Sequence, residues 1–409
     1  MRLAAGVRGR RAIGAVATLT AAAAAVGLAV PAMAAPAVPA ARVLSGGQVA
    51  SRSAVPWRKV GPGWALAMYS ANVGGEGITP KAGPSTLYLV SPQGGRYKLM
   101  TWSAGDPRRN WQLLAWSGDV RRALFASSPG LYRAGREHVY QLQLRTGKET
   151  GFTLPAKVAA VGYTRPDGLN ILAEKWTSST STSLTVQRYS LSGRQPKNLA
   201  AVKGLGLLAG ETGIPPVPYN SKGTELAAGT VNGLELISNA GGVIRKLPVP
   251  GVAGGCAAVR WWSPGTVLAS CSVANEPGPR MWLVPASGAR PTALTPTRGG
   301  TDFDLGDFNA WQLSSGLYVD GFGACGTLVI GRQPAHGNEV RVNVPGSASS
   351  LIVNATRSTL MVERINGCNP GISLVWFNPA TRKMTVAIPV SHHQFGVTAV
   401  APYFIAGKF

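Results

Sequence analysis

The chain has 409 residues, of which 45% are hydrophobic and 14% are charged. This hydrophobic content excludes an intrinsically disordered chain, and 52 glycines and 30 prolines favour a turn-rich β protein over a helical one. The 40 Lys and Arg residues outnumber the 17 Asp and Glu residues, which gives a formal net charge of +23. A charge of this size favours an anionic partner and says nothing about the fold.

The first 34 residues have the composition of a secretory signal peptide. Four arginines within the first 11 residues precede an Ala-rich apolar run over 12–30. Ala32-Met33-Ala34 then has the form of an A-x-A cleavage site. Because the apolar run could just span a bilayer, an uncleaved membrane anchor is the alternative. Alanine is only weakly apolar, so we expect cleavage near Ala34 and a secreted or cell-wall-associated mature protein.

The composition then divides the rest of the chain into two parts. Residues 35–55 are rich in Ala, Pro and Ser and are predicted to form a flexible leader. Residues 56–409 are predicted to form one folded unit.

A hairpin repeat runs through this unit. Each copy has a short apolar strand, a tight turn that usually contains Gly, and a second strand that ends on an apolar residue. The turns are 44 to 52 residues apart. Such a period indicates a repeat architecture. The seven copies are 87–100, 140–154, 187–199, 234–247, 281–294, 328–342 and 374–388.

Six copies of a second hairpin lie between them, and two single strands remain, at Trp64–Ser70 and Val397–Phe404. If these two strands pair, a seventh copy of the second hairpin is complete. The sequence therefore predicts an all-β fold, a single seven-bladed β-propeller of four-stranded antiparallel blades, closed by pairing of the C-terminal strand with the N-terminal strand. The alternative, a β-sandwich or two smaller β domains, does not account for the period.

The turns of the second hairpin carry a family resemblance. They read Arg165-Pro166-Asp167-Gly168, Ser263-Pro264-Gly265 and Trp116-Ser117-Gly118-Asp119, each before an apolar strand. The chain thereby resembles TolB-like and WD-repeat-like propellers of secreted bacterial proteins. The resemblance implies a fold that binds proteins or other ligands and whose blades supply no chemistry. TolB has an additional N-terminal domain and six blades, which this sequence does not show, so its partners are not carried over.

Four cysteines in an exported chain predict disulfides. Cys256 and Cys271 flank the Ser263-Pro264-Gly265 turn almost symmetrically, so we expect them to face each other across a hairpin. Cys325 and Cys368 lie in equivalent loops of neighbouring repeats and are predicted to form a second bridge. Without a C-x-x-C spacing or a nearby His, a metal site at these cysteines is not favoured.

The predicted strand order places all tight turns on one face and the longer connections on the other. The long-loop face, with the channel mouth, is the expected site of specific recognition. There, Asp302, Asp304 and Asp307 form an acidic cluster that could hold Ca²⁺, but the alternative, a solvated loop, is favoured. No other metal and no cofactor are predicted.

Basic residues concentrate on and beside the tight turns. An anionic wall polymer or membrane surface is therefore the expected partner of that face. Removing the four arginines of the signal segment lowers the formal net charge only from +23 to +19. The residues assigned to anionic-surface binding are Arg96, Lys98, Arg121, Arg122, Arg245, Lys246, Arg382 and Lys383.

No enzyme motif stands out: the sequence lacks G-x-S-x-G and H-E-x-x-H. We therefore predict a secreted, monomeric, non-catalytic binding module or scaffold at the cell envelope, with an envelope protein or a cell-wall polymer as partner and no catalytic residue. An exported polysaccharide hydrolase or lyase with carboxylates at the channel mouth is the alternative. Specific nucleic-acid binding is not expected, because no reading motif accompanies the charge.

Overall fold

The computed structural model describes most of the chain after the signal segment. Within that part, secondary structure consists of β-strands and three short 3-10 helices, Arg52–Ala54, Trp57–Lys59 and Pro107–Asn110. None of its helices has the length and apolarity that crossing a membrane would require. The predicted signal peptide lies outside the described residues, which are 43–75, 78–127, 135–178, 182–207, 218–296, 305–323, 327–365, 371–390 and 394–403.

The strands follow one another as antiparallel hairpins. The N-terminal strands are β1 (Val49–Ser51), β2 (Ala65–Gly75), β3 (Ile78–Lys81), β4 (Ser85–Val90) and β5 (Arg96–Trp102). The next are β6 (Gln112–Trp116), β7 (Arg122–Ala126), β8 (His138–Gln143), β9 (Glu149–Thr153), β10 (Val158–Tyr163), β11 (Asn170–Trp176), β12 (Ser183–Ser190), β13 (Lys197–Lys203), β14 (Glu225–Thr230), β15 (Gly233–Ser238) and β16 (Val243–Pro248). The last are β17 (Val252–Ser263), β18 (Thr266–Val273), β19 (Pro279–Pro285), β20 (Thr292–Ala293), β21 (Asp307–Leu313), β22 (Gly316–Phe322), β23 (Leu328–Gln333), β24 (Val340–Arg341), β25 (Ser349–Ala355), β26 (Leu360–Ile365), β27 (Ile372–Phe377), β28 (Met384–Ile388) and β29 (Gln394–Pro402).

These strands build the blades of an all-β propeller. Five sheets are separate and keep the order of the chain: β6–β9, β10–β13, β14–β16, β17–β20 and β21–β24. In the three-stranded β14–β16 sheet, isolated bridges from Gly206 to Gly229 and from Tyr219 to Leu226 stand where a further strand is predicted.

The prediction of seven separate four-stranded blades needs correction, because five separate sheets are present. The strands assigned to the other two blades, β1–β5 and β25–β29, belong to one ten-stranded sheet. The physical reason is that β29 contacts both groups. It pairs antiparallel with β2, where Pro402 lies opposite Ala65, and it makes one parallel pair with β27, between Gly396 and Ile372.

One predicted boundary also needs correction. The predicted leader, 35–55, contains β1, which pairs in parallel with β5, with Val49 opposite Arg96. This pairing covers the outer edge of β5, which would otherwise expose unpaired backbone groups. Between β2 and β4, the short strand β3 pairs with the end of β2.

The sheets pack against one another through apolar side chains that alternate along each strand. Where the ten-stranded sheet meets the β6–β9 sheet, the ring of Trp102 lies edge-on to Phe125, with centroids 5.6 Å apart. The strand tryptophans Trp261 and Trp376 are buried, with 1% and 3% of their surface exposed. The Trp376 indole also donates a hydrogen bond to the Ser91 carbonyl at 3.0 Å.

Polar side chains join neighbouring sheets as well. The Ala160 N–H of β10 donates to Glu137 Oε2, which precedes β8, at 2.6 Å. The Ile352 N–H of β25 donates to Asp320 Oδ1 of β22 at 2.7 Å. These contacts fix the lateral position of each sheet against the next, which apolar packing alone leaves less well determined.

Candidate functional site

The tight turns of neighbouring sheets contact one another, and we call the surface that they form the turn face. The Arg165 guanidinium, in the β10–β11 turn, donates to the Trp116 carbonyl at 2.7 Å. A Cβ atom on Gly118 would lie 2.2 Å from the Pro166 carbonyl oxygen, so only glycine fits between these turns. The Tyr403 hydroxyl, at the end of β29, donates to the Gly118 carbonyl at 3.0 Å.

Six of the eight basic residues assigned to anionic-surface binding are exposed on or beside these turns. The side chains of Arg121 and Lys246 are 69% and 81% exposed. Lys98, Arg245, Arg382 and Lys383 are also exposed. Arg121 and Lys246 lie 3.8 and 4.0 Å from the carboxylates of Asp119 and Glu235.

Three of the eight form contacts between elements. Arg96 donates to the Ala387 carbonyl at 2.7 Å. Arg245 donates to the Ser287 carbonyl of the next sheet. Arg122 has a side chain only 17% exposed, which donates to the Gly168 carbonyl of the next sheet at 3.5 Å and lies 3.7 Å from the Asp119 carboxylate. The sequence assigns all eight residues one role, whereas the structure gives these three a part in joining the fold.

Acidic residues in the β6–β7 and β10–β11 turns accept hydrogen bonds from other residues of the same turn. Asp119 Oδ1 accepts hydrogen bonds from the Ser117 hydroxyl at 2.6 Å and from the Arg121 N–H at 3.1 Å. Asp167 Oδ1 accepts from the Thr164 hydroxyl at 2.9 Å. Such side-chain bonds are the reason that Asp is favoured in tight turns.

The acidic cluster predicted on the long-loop face is divided. Asp302 and Asp304 lie outside the described residues. Asp307 is 1% exposed at the start of β21, where its carbonyl accepts from the Ser270 hydroxyl at 2.9 Å, so it is not part of a solvated loop. Among the described residues, no group of three His, Cys, Asp or Glu side chains could hold a metal ion.

One of the two predicted disulfides is present. Cys256 and Cys271 are bonded and stand opposite each other in the β17–β18 hairpin, as their spacing around the turn predicts. Cys325 and Cys368 are outside the described residues. The predicted second bridge remains a prediction.

Buried carboxylates are a feature that the sequence did not reveal. Burial raises the pKa of Glu137 to about 7, although the Ala160 N–H stabilises its ionised form. Burial also raises the pKa of Asp320 well above its usual range, while the Ile352 N–H and the Trp311 indole act in the opposite direction. Alternating strand patterns do not distinguish such a buried acid from an exposed one, because both occupy polar positions.

A cleft with a volume of about 700 Å³ lies between the β17–β20 and β21–β24 sheets. Its wall carries three basic side chains, two amides and a threonine, and no carboxylate. The sequence predicts no role for these side chains, because the two walls of the cleft come from separate parts of the chain. The polar residues that line the cleft are Arg280, Thr295, Gln312, Arg332, Gln333 and His336.

The two ends of the cleft differ. At one end Arg280 is held in place: it donates to the Thr295 carbonyl at 2.7 Å and to Glu276 at 3.2 Å, and it lies over the Trp282 ring. At the other end Arg332 and His336 are exposed. The cleft is therefore a polar site with its uncompensated positive charge at one end.

Solved propeller structures are similar to the chain but distant in sequence. TolB from Acinetobacter baumannii is 13% identical, with 82% of this chain and 66% of TolB covered and a TM-score of 0.43. The periplasmic gluconolactonase of Pseudomonas aeruginosa is 14% identical, with 83% and 100% covered and a TM-score of 0.42. The acylaminoacyl peptidase of Pyrococcus horikoshii is 9% identical, with 80% and 51% covered and a TM-score of 0.48.

The chain spans 66% of the length of TolB and about half of that of the peptidase. The sequence matches no family model and no curated protein. TolB is thus among the structures to which the chain is similar, in agreement with the resemblance of its turns.

Proposed function

We propose that the protein is an exported, non-catalytic binding module that attaches to an anionic surface of the cell envelope through its turn face. The observation that carries this proposal is the exposure of Lys98, Arg121, Lys246, Arg382 and Lys383 on or beside contacting turns. Several positive side chains near one face attract a polyanion more strongly than the same charges dispersed over the molecule.

Two further features support export. The N-terminal segment has the composition of a cleavable signal peptide. The Cys256–Cys271 disulfide fits an oxidising compartment, because disulfides are rare in cytosolic proteins. An envelope protein or a wall polymer would then be the partner.

The same proposal includes a closed ring of seven blades. The ten-stranded sheet would comprise two blades, one formed by β29 with β2, β4 and β5 and one by β25–β28. In support, the two groups share a single parallel pair, whereas β29 and β2 pair over most of their length. Strand β6 contacts β29 as well as β10, which is the arrangement that a closed ring needs.

Salt-dependent retention of the mature protein on immobilised poly(glycerol phosphate) tests surface attachment. We expect retention at low salt and release at high salt, since each phosphate contact releases a counterion. Changing Lys98, Lys246, Arg382 and Lys383 to Gln should weaken retention at least tenfold, at roughly 1 kcal/mol for each charge lost.

The matched control changes four exposed basic residues at the opposite ends of the strands, Arg136, Lys157, Lys175 and Lys203, to Gln. It has the same net charge as the turn-face variant and should keep most of the retention. Equal losses in the two variants would show that only net charge matters, and the turn face would then have no special role.

An exported polysaccharide hydrolase or lyase is the competing function. It requires two carboxylates within reach of one sugar bond, and the described cleft has none in its wall. Release of reducing ends from acidic polysaccharides by the mature protein would favour the enzyme over the binding module.

A further inference from the structure

We propose that the cleft between the β17–β20 and β21–β24 sheets binds a hydroxyl-rich anion, such as an acidic saccharide, with its negative group at Arg332 and His336. This inference is independent of attachment through the turn face, because none of the eight residues assigned to that face lines the cleft.

The size and the walls of the cleft fit such a ligand. A volume of about 700 Å³ is within the usual range for small-molecule sites, roughly 300–1,000 Å³. Its apolar lining consists of Ala, Leu and Pro side chains and includes no aromatic ring. A purely apolar or aromatic ligand would displace water from the exposed Arg332 guanidinium and offer no hydrogen bond in return, at a cost in affinity.

Charge and position select the anionic group. Arg332 is exposed at the end of β23, and a Cβ atom on Gly316 would lie 3.2 Å from its Nε atom. The glycine thus allows the arginine side chain to lie close against the neighbouring strand β22. A guanidinium in this position can bind a carboxylate or phosphate through two parallel hydrogen bonds.

The opposite end of the cleft, at Arg280, favours a ligand with hydroxyl groups. Glu276 compensates the charge of Arg280, so this arginine acts there as a fixed hydrogen-bond donor and not as an anion site. Gln312 is exposed between the two ends. Gln333 donates to the Pro334 and Gly337 carbonyls at 3.0 and 3.2 Å, which fixes its amide beside Arg332. A ligand with one charge and several hydroxyl groups uses all of these groups.

Titration calorimetry of the mature protein tests the proposal with three probes: an oligogalacturonate, the neutral galactose oligomer of the same length, and a glycerol phosphate oligomer. We expect one site for an acidic probe and at least tenfold weaker binding of the neutral oligomer. The stronger acidic probe identifies the ligand as a carboxylated sugar or a polyol phosphate.

Arg332→Gln should weaken acidic binding about tenfold, which corresponds to about 1.4 kcal/mol. The matched control is Arg341→Gln, an exposed arginine on the adjacent strand β24 that does not line the cleft, and it should bind as the unchanged protein does. Ala335→Trp, at an exposed position of the lining, should block the cleft and weaken binding of all probes.

Three results would overturn the proposal: no binding of either acidic probe, equal affinity for the neutral oligomer, or equal effects of the Arg332 and Arg341 substitutions. The turn-face variant with four Gln substitutions should still bind the oligomers. Loss of oligomer binding in the cleft and loss of attachment through the turn face can therefore be distinguished.

Discussion

Glu137 shows how one buried side chain links pH to stability. Its carboxylate faces the backbone of the next sheet, and burial raises its pKa from 4.5 to about 7. The folded protein therefore favours the protonated form. The stability that this proton contributes is present below about pH 4.5 and is lost as the pH rises through 7.

We expect Glu137→Gln to make the free energy of unfolding less dependent on pH between about 5 and 7. The uncharged amide of Gln keeps an oxygen acceptor for the Ala160 N–H and does not titrate. The pH-dependent part of the free energy of unfolding that Glu137 contributes, on the order of 2–3 kcal/mol, should therefore be lost. Urea unfolding at a series of pH values measures the effect.

Glu225→Gln is a suitable control, because Glu225 is a half-buried glutamate in the strand β14. Identical pH profiles for the unchanged protein and the Glu137 variant would contradict the expected role of this carboxylate.

Single residues also show which contacts a sequence can predict and which it cannot. The sequence identified the turn residues well, because Gly, Asp and Pro occur in tight turns for local steric reasons. It could not predict that Arg96 and Arg245 donate to carbonyls of neighbouring elements, since those partners are distant in the chain. Exposure of a charged side chain depends on the packing of sheets, which a strand pattern does not specify.

Among the elements, the β17–β18 hairpin is the one that carries a covalent bond. The Cys256–Cys271 disulfide closes a loop with a sequence separation of 15 residues, and its strands are already paired on both sides. Restricting the unfolded chain over such a loop is worth roughly 3 kcal/mol in the chain-entropy description.

Replacement of both cysteines by Ser should lower the melting temperature by several degrees without loss of the β-sheet signal in circular dichroism. Reduction with dithiothreitol should lower the melting temperature of the unchanged protein more than that of the Ser variant, in which only the predicted Cys325–Cys368 bridge could still be reduced. A reductant effect of equal size in both proteins would show that another bond is responsible.

Hairpins were also the elements that the sequence predicted best. Their strands and turns recur with a regular period, so the β17–β18 cysteine pair could be found from symmetry around one turn. The leader was the element predicted least well. β1 has only three residues, and its parallel pairing with β5 depends on partner residues that lie 47 positions later in the chain.

In the whole molecule, each sheet depends on contacts with its neighbours for its stability. The Glu137–Ala160 and Asp320–Ile352 hydrogen bonds each cross a boundary between sheets, and so do the Arg165–Trp116 and Arg245–Ser287 contacts. A four-stranded sheet cannot bury both of its faces alone, so its stability depends on its neighbours.

We therefore expect one unfolding transition, with the same midpoint by tryptophan fluorescence and by far-ultraviolet circular dichroism. Tryptophans lie in several sheets, so the fluorescence reports on more than one of them. Two separate midpoints would show that some sheets unfold independently.

Pairing of β29 with β2 also has a consequence for synthesis. The two strands are more than 300 residues apart in the chain, although the Tyr403 N–H donates to the Trp64 carbonyl at 2.8 Å. The sheet that contains β2 is therefore complete only after the last strand has been synthesised. A chain that stopped before β29 would leave the edge of β2 uncovered, and such an edge can pair with other chains.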